Sequence, residues 1–196
     1  WSNVTGSAQV AIGLHALRFS TGGVSNTAVG AYAMQQGQHM QNTAVGAGAL
    51  QAGGSQSTAV AAYALRSNTT GSFNTAVGVS SLYNNNTGVN NNAVGYEALY
   101  SNTTGSLNVS IGDGSMYHNT GGLRNVAVGF QAMNGNTSGE GNTATGYQAL
   151  QTNSEGTGNV AVGHKALLSS QWSMNTAVGF EAGLNTLDEA RAAEDA

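Results

Sequence analysis

Three tyrosines, Tyr83, Tyr100 and Tyr117, recur at a spacing of seventeen residues. If the chain folds into coils of that length, the three rings stack into a short row along one edge of the molecule. Aromatic rings pack against the apolar faces of sugars, and Asn, Gln and Ser side chains bind sugar hydroxyls. The row, together with nearby Tyr96 and Glu97, is therefore a candidate glycan-binding site. The alternative is that these rings pack between coils or between subunits.

Residues able to catalyse a reaction are scattered along the chain. The best acid pair is Glu97 with Asp113 in neighbouring repeats, and retaining glycosidases place two carboxyl groups about 5 Å apart. Isolated surface acids explain this pair better, and no Ser, His and Asp arrangement stands out. The four histidines fall at different positions of separate repeats, so coil stacking does not gather them into a metal site. They are His15, His39, His118 and His164. We expect neither catalysis nor a bound metal or cofactor.

The charge distribution excludes several classes of partner. The chain has 5 Lys and Arg against 9 Asp and Glu, and four of the acids lie within residues 187–196. The nearly neutral remainder has no basic stripe for nucleic acid. No apolar run approaches the roughly 20 residues that span a bilayer, and no signal peptide begins at Trp1, so we expect no membrane insertion of this segment. With 0 Cys, disulfides and thiolate metal sites are excluded.

The elements that must position these residues come from an internal repeat. A nine-residue phrase, typified by Asn142–Leu150 and Asn159–Leu167, recurs at intervals of 15 to 17 residues, and eleven units span residues 9–184. We number each unit from the first letter of its phrase, which is most often Asn. A short strand, a second apolar segment and a spacer rich in Asn, Thr and Gly make up each unit. Such a period is typical of one coil of a parallel β-solenoid.

The recurring letters predict an interior. Position four is Val or Ile in ten units, and position nine is Leu or Met in every unit except the last. We expect both to point inward and to stack on their equivalents about 4.8 Å away in the next coil. Position one is Asn in nine of eleven units, and its amide is expected to bond neighbouring coils or cap turn backbone.

Alternation along a strand then sends position three outward. This position is Ala in ten units, and position five is Gly in all units but one. A smooth Ala strip on an outer face predicts an oligomer interface, although Ala and Gly also suit a tight coil. The predicted trimer-interface residues include Ala28, Ala44, Ala76, Ala127, Ala144 and Ala161.

Residues 9–184 resemble a known type of repeat. Asn-Thr-Ala-Val-Gly-x-x-Ala-Leu, followed by Asn-Thr-Thr-Gly, is similar to the repeats of trimeric autotransporter adhesin heads and of bacteriophage tail fibres. The resemblance implies a left-handed parallel β-roll that associates as a homotrimer. It also implies attachment to a cell surface through a glycan or protein receptor. Adhesin heads more often read Ser-Val-Ala-Ile-Gly, a difference that leaves open a β-roll or an interlaced triple helix.

The sequence thus divides into a lead-in at residues 1–8, the solenoid at residues 9–184 and a C-terminal segment at residues 185–196. Thr186 and Glu189 have the spacing of a helix capping box, which predicts a short helix there. A frayed tail is the alternative.

Three classes of function remain: a passive shaft or adhesive fibre, a specific glycan-binding tip and a flat ice-binding solenoid. We expect an all-β homotrimeric fibre segment of a virion tail fibre or cell surface, with a phage tail fibre ahead of a bacterial adhesin head. A glycan-processing tailspike has little support from the acids. An ice-binding solenoid is also weaker, since position two is Thr in only six of eleven units.

Overall fold

The structure, a computed structural model, describes residues 6–20 and 22–184 as a parallel β-solenoid. One three-residue strand from each unit joins an eleven-stranded sheet, giving about ten turns. Four further two-residue strands form two small sheets near the N-terminal end. In chain order the strands are β1 (Val10–Ile12), β2 (Phe19–Ser20), β3 (Thr27–Val29), β4 (Gln36–Gly37), β5 (His39–Met40), β6 (Thr43–Val45), β7 (Gly54–Ser55), β8 (Thr58–Val60), β9 (Thr75–Val77), β10 (Asn92–Val94), β11 (Val109–Ile111), β12 (Val126–Val128), β13 (Thr143–Thr145), β14 (Val160–Val162) and β15 (Thr176–Val178).

The repeat phrase sets the pairing of the large sheet. Each phrase strand pairs in parallel with the next one, position against position, as Asn92–Val94 pairs with Val109–Ile111. The predicted all-β parallel solenoid is therefore confirmed. No helix of the described residues is long and apolar enough to cross a bilayer. The predicted C-terminal helix, at residues 185–196, lies outside the described part of the chain.

The predicted direction of the strand side chains is wrong. Position three is fully buried from Ala28 to Ala161, whereas position four lies on the outside, as Val94 does with 39% of its surface exposed. The interior is filled by Ala at position three, Ala or Ser at position eight and Leu or Met at position nine. Because the two sides of the coil approach closely, a methyl group fits at position three and a Val side chain does not.

This correction removes the predicted trimer interface. The side chains of all six alanines have no exposed surface in the single chain, so they cannot contact another subunit. They are Ala28, Ala44, Ala76, Ala127, Ala144 and Ala161. The apolar surface that the sequence assigned to them belongs instead to positions two and four of the same strands.

Buried asparagines connect successive coils. The Asn108 Oδ1 accepts a hydrogen bond from the Asn125 backbone N at 3.0 Å, and its Nδ2 donates to the Gly122 carbonyl at 2.8 Å. The same pattern recurs at position one along the solenoid, which confirms the predicted Asn ladder. A second ladder was not predicted. At position twelve, Asn102 Nδ2 donates to Asn85 Oδ1 at 2.7 Å and to the Gly105 carbonyl at 3.0 Å. From Asn85 to Asn136 each buried amide of this ladder donates to the one before it.

Left-handed backbone at three positions bends each coil. Positions seven, nine and seventeen have φ between +47° and +66° in almost every unit, whichever residue is present. Position five is more extreme, since Gly129 has φ +136° and a Cβ there would lie 2.4 Å from the Gly146 carbonyl oxygen. A β-branched residue is strongly disfavoured at positive φ. This explains why the buried letter at position nine is Leu or Met and never Val or Ile.

Leu99 provides a test of that constraint. Leu99 is fully buried and has φ +53°. We expect Leu99→Ile, which keeps the volume, to lower the free energy of unfolding by about 2 kcal/mol or more through backbone strain. Leu99→Met, which keeps an unbranched Cβ, is expected to cost less than about 1.5 kcal/mol. Denaturant unfolding measures both, and equal losses would contradict the explanation.

The spacer of the second unit has no Asn, and His39 fills the interior there. Its side chain is fully buried, and Nε2 donates to the Gln36 carbonyl at 2.6 Å, while Nδ1 finds no partner among the described residues. Burial lowers the pKa of His39 from 6.5 to about 4, although the hydrogen bond to Gln36 opposes the change. The folded protein therefore holds His39 neutral.

Acid should destabilise the solenoid through this histidine. The unfolded chain takes up a proton near pH 6.5 and the folded chain only near pH 4, so stability is complete above pH 6.5 and falls between the two values. The full loss is about 3 kcal/mol. We expect His39→Gln to remove this part of the pH dependence of unfolding, whereas His118→Gln, at an exposed site, leaves it intact. An unchanged slope in His39→Gln would contradict the prediction.

Candidate binding surface

The variable letters of the repeat lie together on one side of the solenoid. We call the side chains at positions six, seven and ten of all units the variable face. Gln131 at position seven accepts hydrogen bonds at 3.0 Å from both Gln148 at position seven and Gln151 at position ten. In another coil, the Arg66 guanidinium at position ten lies 5.3 Å from the ring centroid of Tyr63 at position seven. Positions seven and ten are thus neighbours across the turn.

The three row tyrosines form the stack that the sequence predicts. The ring centroids of Tyr83 and Tyr100 are 5.1 Å apart at an interplanar angle of 16°, and those of Tyr100 and Tyr117 are 5.0 Å apart at 3°. His118 closes one end edge-on against Tyr117, at 4.8 Å. At the other end the Arg66 guanidinium lies 5.5 Å from the Tyr83 ring and donates to its hydroxyl.

Tyr96 and Glu97 flank the row on the variable face. The Glu97 carboxylate accepts a hydrogen bond from the Tyr96 hydroxyl, and this bond, with the carboxylate charge, raises the pKa of Tyr96. Partial burial, followed by the neighbouring Tyr117 and Tyr83, raises the pKa of Tyr100. Both phenols therefore remain protonated donors at neutral pH.

A second aromatic column follows where the first one ends. At position six, Phe130 and Tyr147 stack at 5.4 Å, Tyr147 and His164 at 5.0 Å, and His164 and Phe180 at 5.0 Å, all within 10° of parallel. His164 completes this column as a flat ring among aromatic side chains that recur at position six. Its place at the same unit position was the signal that could have identified it.

The two acids of the pair each contact Tyr96 in a different way. The Asp113 Oδ1 accepts a hydrogen bond from the Tyr96 backbone N at 3.1 Å, so this carboxylate caps the neighbouring coil, while Glu97 bonds the Tyr96 hydroxyl. In the described ranges, no group of three His, Asp or Glu residues is placed to hold a metal. The ion pair between Arg124 and Glu140, at 3.7 Å, lies exposed at a different corner of the coil.

Comparison of the chain with protein-family models, with curated proteins and with solved structures finds no significant match. The site must therefore be interpreted from its own geometry. That geometry is a long surface of rings, amides and a few charges, repeated at the coil spacing, which suits an extended ligand better than a small molecule enclosed in a pocket.

Proposed function

We propose that this chain is a structural and adhesive segment of a homotrimeric fibre that attaches to a cell surface, in the manner of a phage tail fibre. A bacterial trimeric adhesin head is the alternative source. The proposal assigns assembly and attachment to different sides of the coil. Assembly uses the outer sheet face, defined as the first and third residues of the eleven phrase strands, and attachment uses the variable face.

The exposure of the outer sheet face is the observation that carries the proposal. Its 22 side chains are Val, Ile or Thr with one exception, Asn92, and none is charged. Val45, Val94 and Ile111 expose 38%, 39% and 42% of their surface in the single chain. The outward face of a solvated sheet is normally polar, and a continuous apolar patch of this length marks a protein–protein interface. A second and third copy present the same uncharged face, so association meets no charge repulsion.

Two lysines on the outer sheet face should prevent assembly. We expect the unmodified chain to sediment as a trimer of the 19.7 kDa subunit and Val94→Lys with Val128→Lys to sediment as a monomer, because burying unpaired ammonium groups is costly. Thr104→Lys with Ser138→Lys is the matched control, since these exposed positions are also two coils apart and lie on another side. Circular dichroism should be unchanged in both variants.

A soluble monomer of the unmodified chain would contradict the proposed assembly. Ala127→Arg with Ala144→Arg is no test of the interface, because both alanines are buried inside the coil and arginine there unfolds it.

One observation favours ice binding as a second candidate. Four successive phrase strands, β3, β6, β8 and β9, all read Thr-Ala-Val, and each points its Thr and Val side chains outward at regular spacing. A flat, regular array of hydroxyl and methyl groups suits an ordered water lattice. This function requires the outer sheet face to be free. A monomer that inhibits ice recrystallisation would support it, whereas a trimer that covers this face would exclude it.

A further inference from the structure

The row tyrosines cannot bind a sugar in the way that the sequence suggests. Both faces of Tyr100 are covered, by Tyr83 at 5.1 Å and by Tyr117 at 5.0 Å. The outer face of Tyr83 lies against the Arg66 guanidinium, and His118 packs against Tyr117. Neither face of Tyr100, the central ring, is left open for stacking on a pyranose. What the row offers a ligand is its line of outer edges, each ending in a hydroxyl.

Two of these hydroxyls are available to a ligand. The Tyr83 hydroxyl accepts from Arg66, but the Tyr100 and Tyr117 hydroxyls make no hydrogen bond to the residues that the structure describes. All three side chains are partly exposed. Because the rings are nearly parallel and one coil apart, their hydroxyls repeat along the solenoid axis at about the same 5 Å spacing as the rings.

The line of polar groups extends beyond the tyrosines. Position ten carries a hydrogen-bonding side chain in nine consecutive units before Leu168 ends the series. These residues are Arg18, Gln35, Gln51, Arg66, Tyr83, Tyr100, Tyr117, Asn134 and Gln151. Neighbouring members bond one another, as Gln51 does with Gln35 at 3.0 Å and Arg66 does with Gln51 at 3.1 Å. The column is a continuous polar track.

The charges beside the track are mixed in sign and do not select a polyanion as its ligand. The Arg66 guanidinium is already engaged by Gln51 and Tyr83, and Arg18 contacts His15 and the Phe19 ring. The carboxylates of Glu97 and Asp113 lie on the same face next to the tyrosines. A neutral ligand that is rich in hydroxyls meets no repulsion here.

We propose that the position-ten track binds a linear, neutral, β-1,4-linked glycan that lies along the solenoid axis. This inference rests on the proposed attachment function and names its ligand class. Equatorial β-1,4 linkages produce an extended chain whose successive sugars advance by about one coil spacing. Each coil can then offer one hydroxyl to one sugar, with successive sugars presenting opposite edges because they are turned over along the chain. The coil spacing therefore selects an extended polymer over a compact or branched glycan.

Binding should depend on the length of the glycan. Chito-oligosaccharides and cello-oligosaccharides of two to six sugars are titrated into the assembled protein by calorimetry. We expect affinity for at least one series to rise about five-fold per added sugar until the chain spans the three tyrosines, since each coil adds one hydrogen bond. Absence of binding by both series, or an affinity independent of length, would overturn the inference.

Removing only the hydroxyls isolates the contact. Tyr83→Phe, Tyr100→Phe and Tyr117→Phe, combined in one variant, keep the stacked rings, and we expect the length dependence over these coils to disappear. Thr104→Val is the control, because it removes an exposed hydroxyl from a side of the coil outside the variable face and should leave binding unchanged. Undiminished binding by the triple variant would also overturn the inference. Attachment of the unmodified chain to cells is measured separately, because its absence refutes the proposed function. The oligosaccharide titrations test only whether the position-ten track binds the glycan.

Discussion

The whole molecule depends on the spacing of about 4.8 Å that parallel backbone hydrogen bonds impose between successive coils. Any residue that recurs at one unit position meets its own copies at this distance. Buried amides are therefore close enough to bond one another, and rings at positions six and ten can stack with centroids 5.0 to 5.4 Å apart. The same spacing strongly favours glycine at position five, where a Cβ added at Gly129 would lie 2.4 Å from the carbonyl oxygen of the next coil.

The narrow interior of the coil determines which side chains lie on each outer surface. Ala at positions three and eight, Leu or Met at position nine and the two Asn ladders occupy all of it, so Val and Thr of the strands have no place inside. One outer side is consequently apolar and nearly invariant, and it suits a copy of the same chain. The other side carries the letters that vary, because nothing packs against them from within. In the proposed fibre, the ligand specificity can change there without altering the fold or the proposed assembly.

The sequence predicts the solenoid, its strand positions and the first Asn ladder correctly, because all three follow from periodicity and composition. The sequence does not establish which face of each strand points inward. A period of two separates the faces of a strand but does not say which one is buried, and the larger residue was assigned to the interior. The left-handed φ of Leu99 cannot be predicted from a single unit. The absence of Val and Ile from position nine in all units was the sequence feature that could have indicated it. The Asn102 ladder was concealed in a spacer whose composition also suits a turn.

At the candidate site, the Tyr83, Tyr100 and Tyr117 stack was predicted from spacing alone, since coil geometry dictates it. The closed ring faces, in contrast, result from the parallel orientation of the rings, with an angle of 3° between Tyr100 and Tyr117. Spacing alone does not predict that orientation. The role of Arg66 at the end of the stack was likewise out of reach, because one arginine at position ten has no periodic partner.

The central claim is that the repeat positions divide into three kinds: those buried inside the coil, those buried between subunits and those exposed to solvent. Thiol labelling tests this claim most directly. The chain has 0 Cys, so single substitutions report on one site each. For the folded protein, the account predicts fast labelling of Tyr117→Cys, no labelling of Ala144→Cys, and labelling of Val128→Cys that is slow in the assembled protein and fast on dissociation by dilution. Fast labelling of Ala144→Cys, together with permanent protection of Val128→Cys, would contradict it.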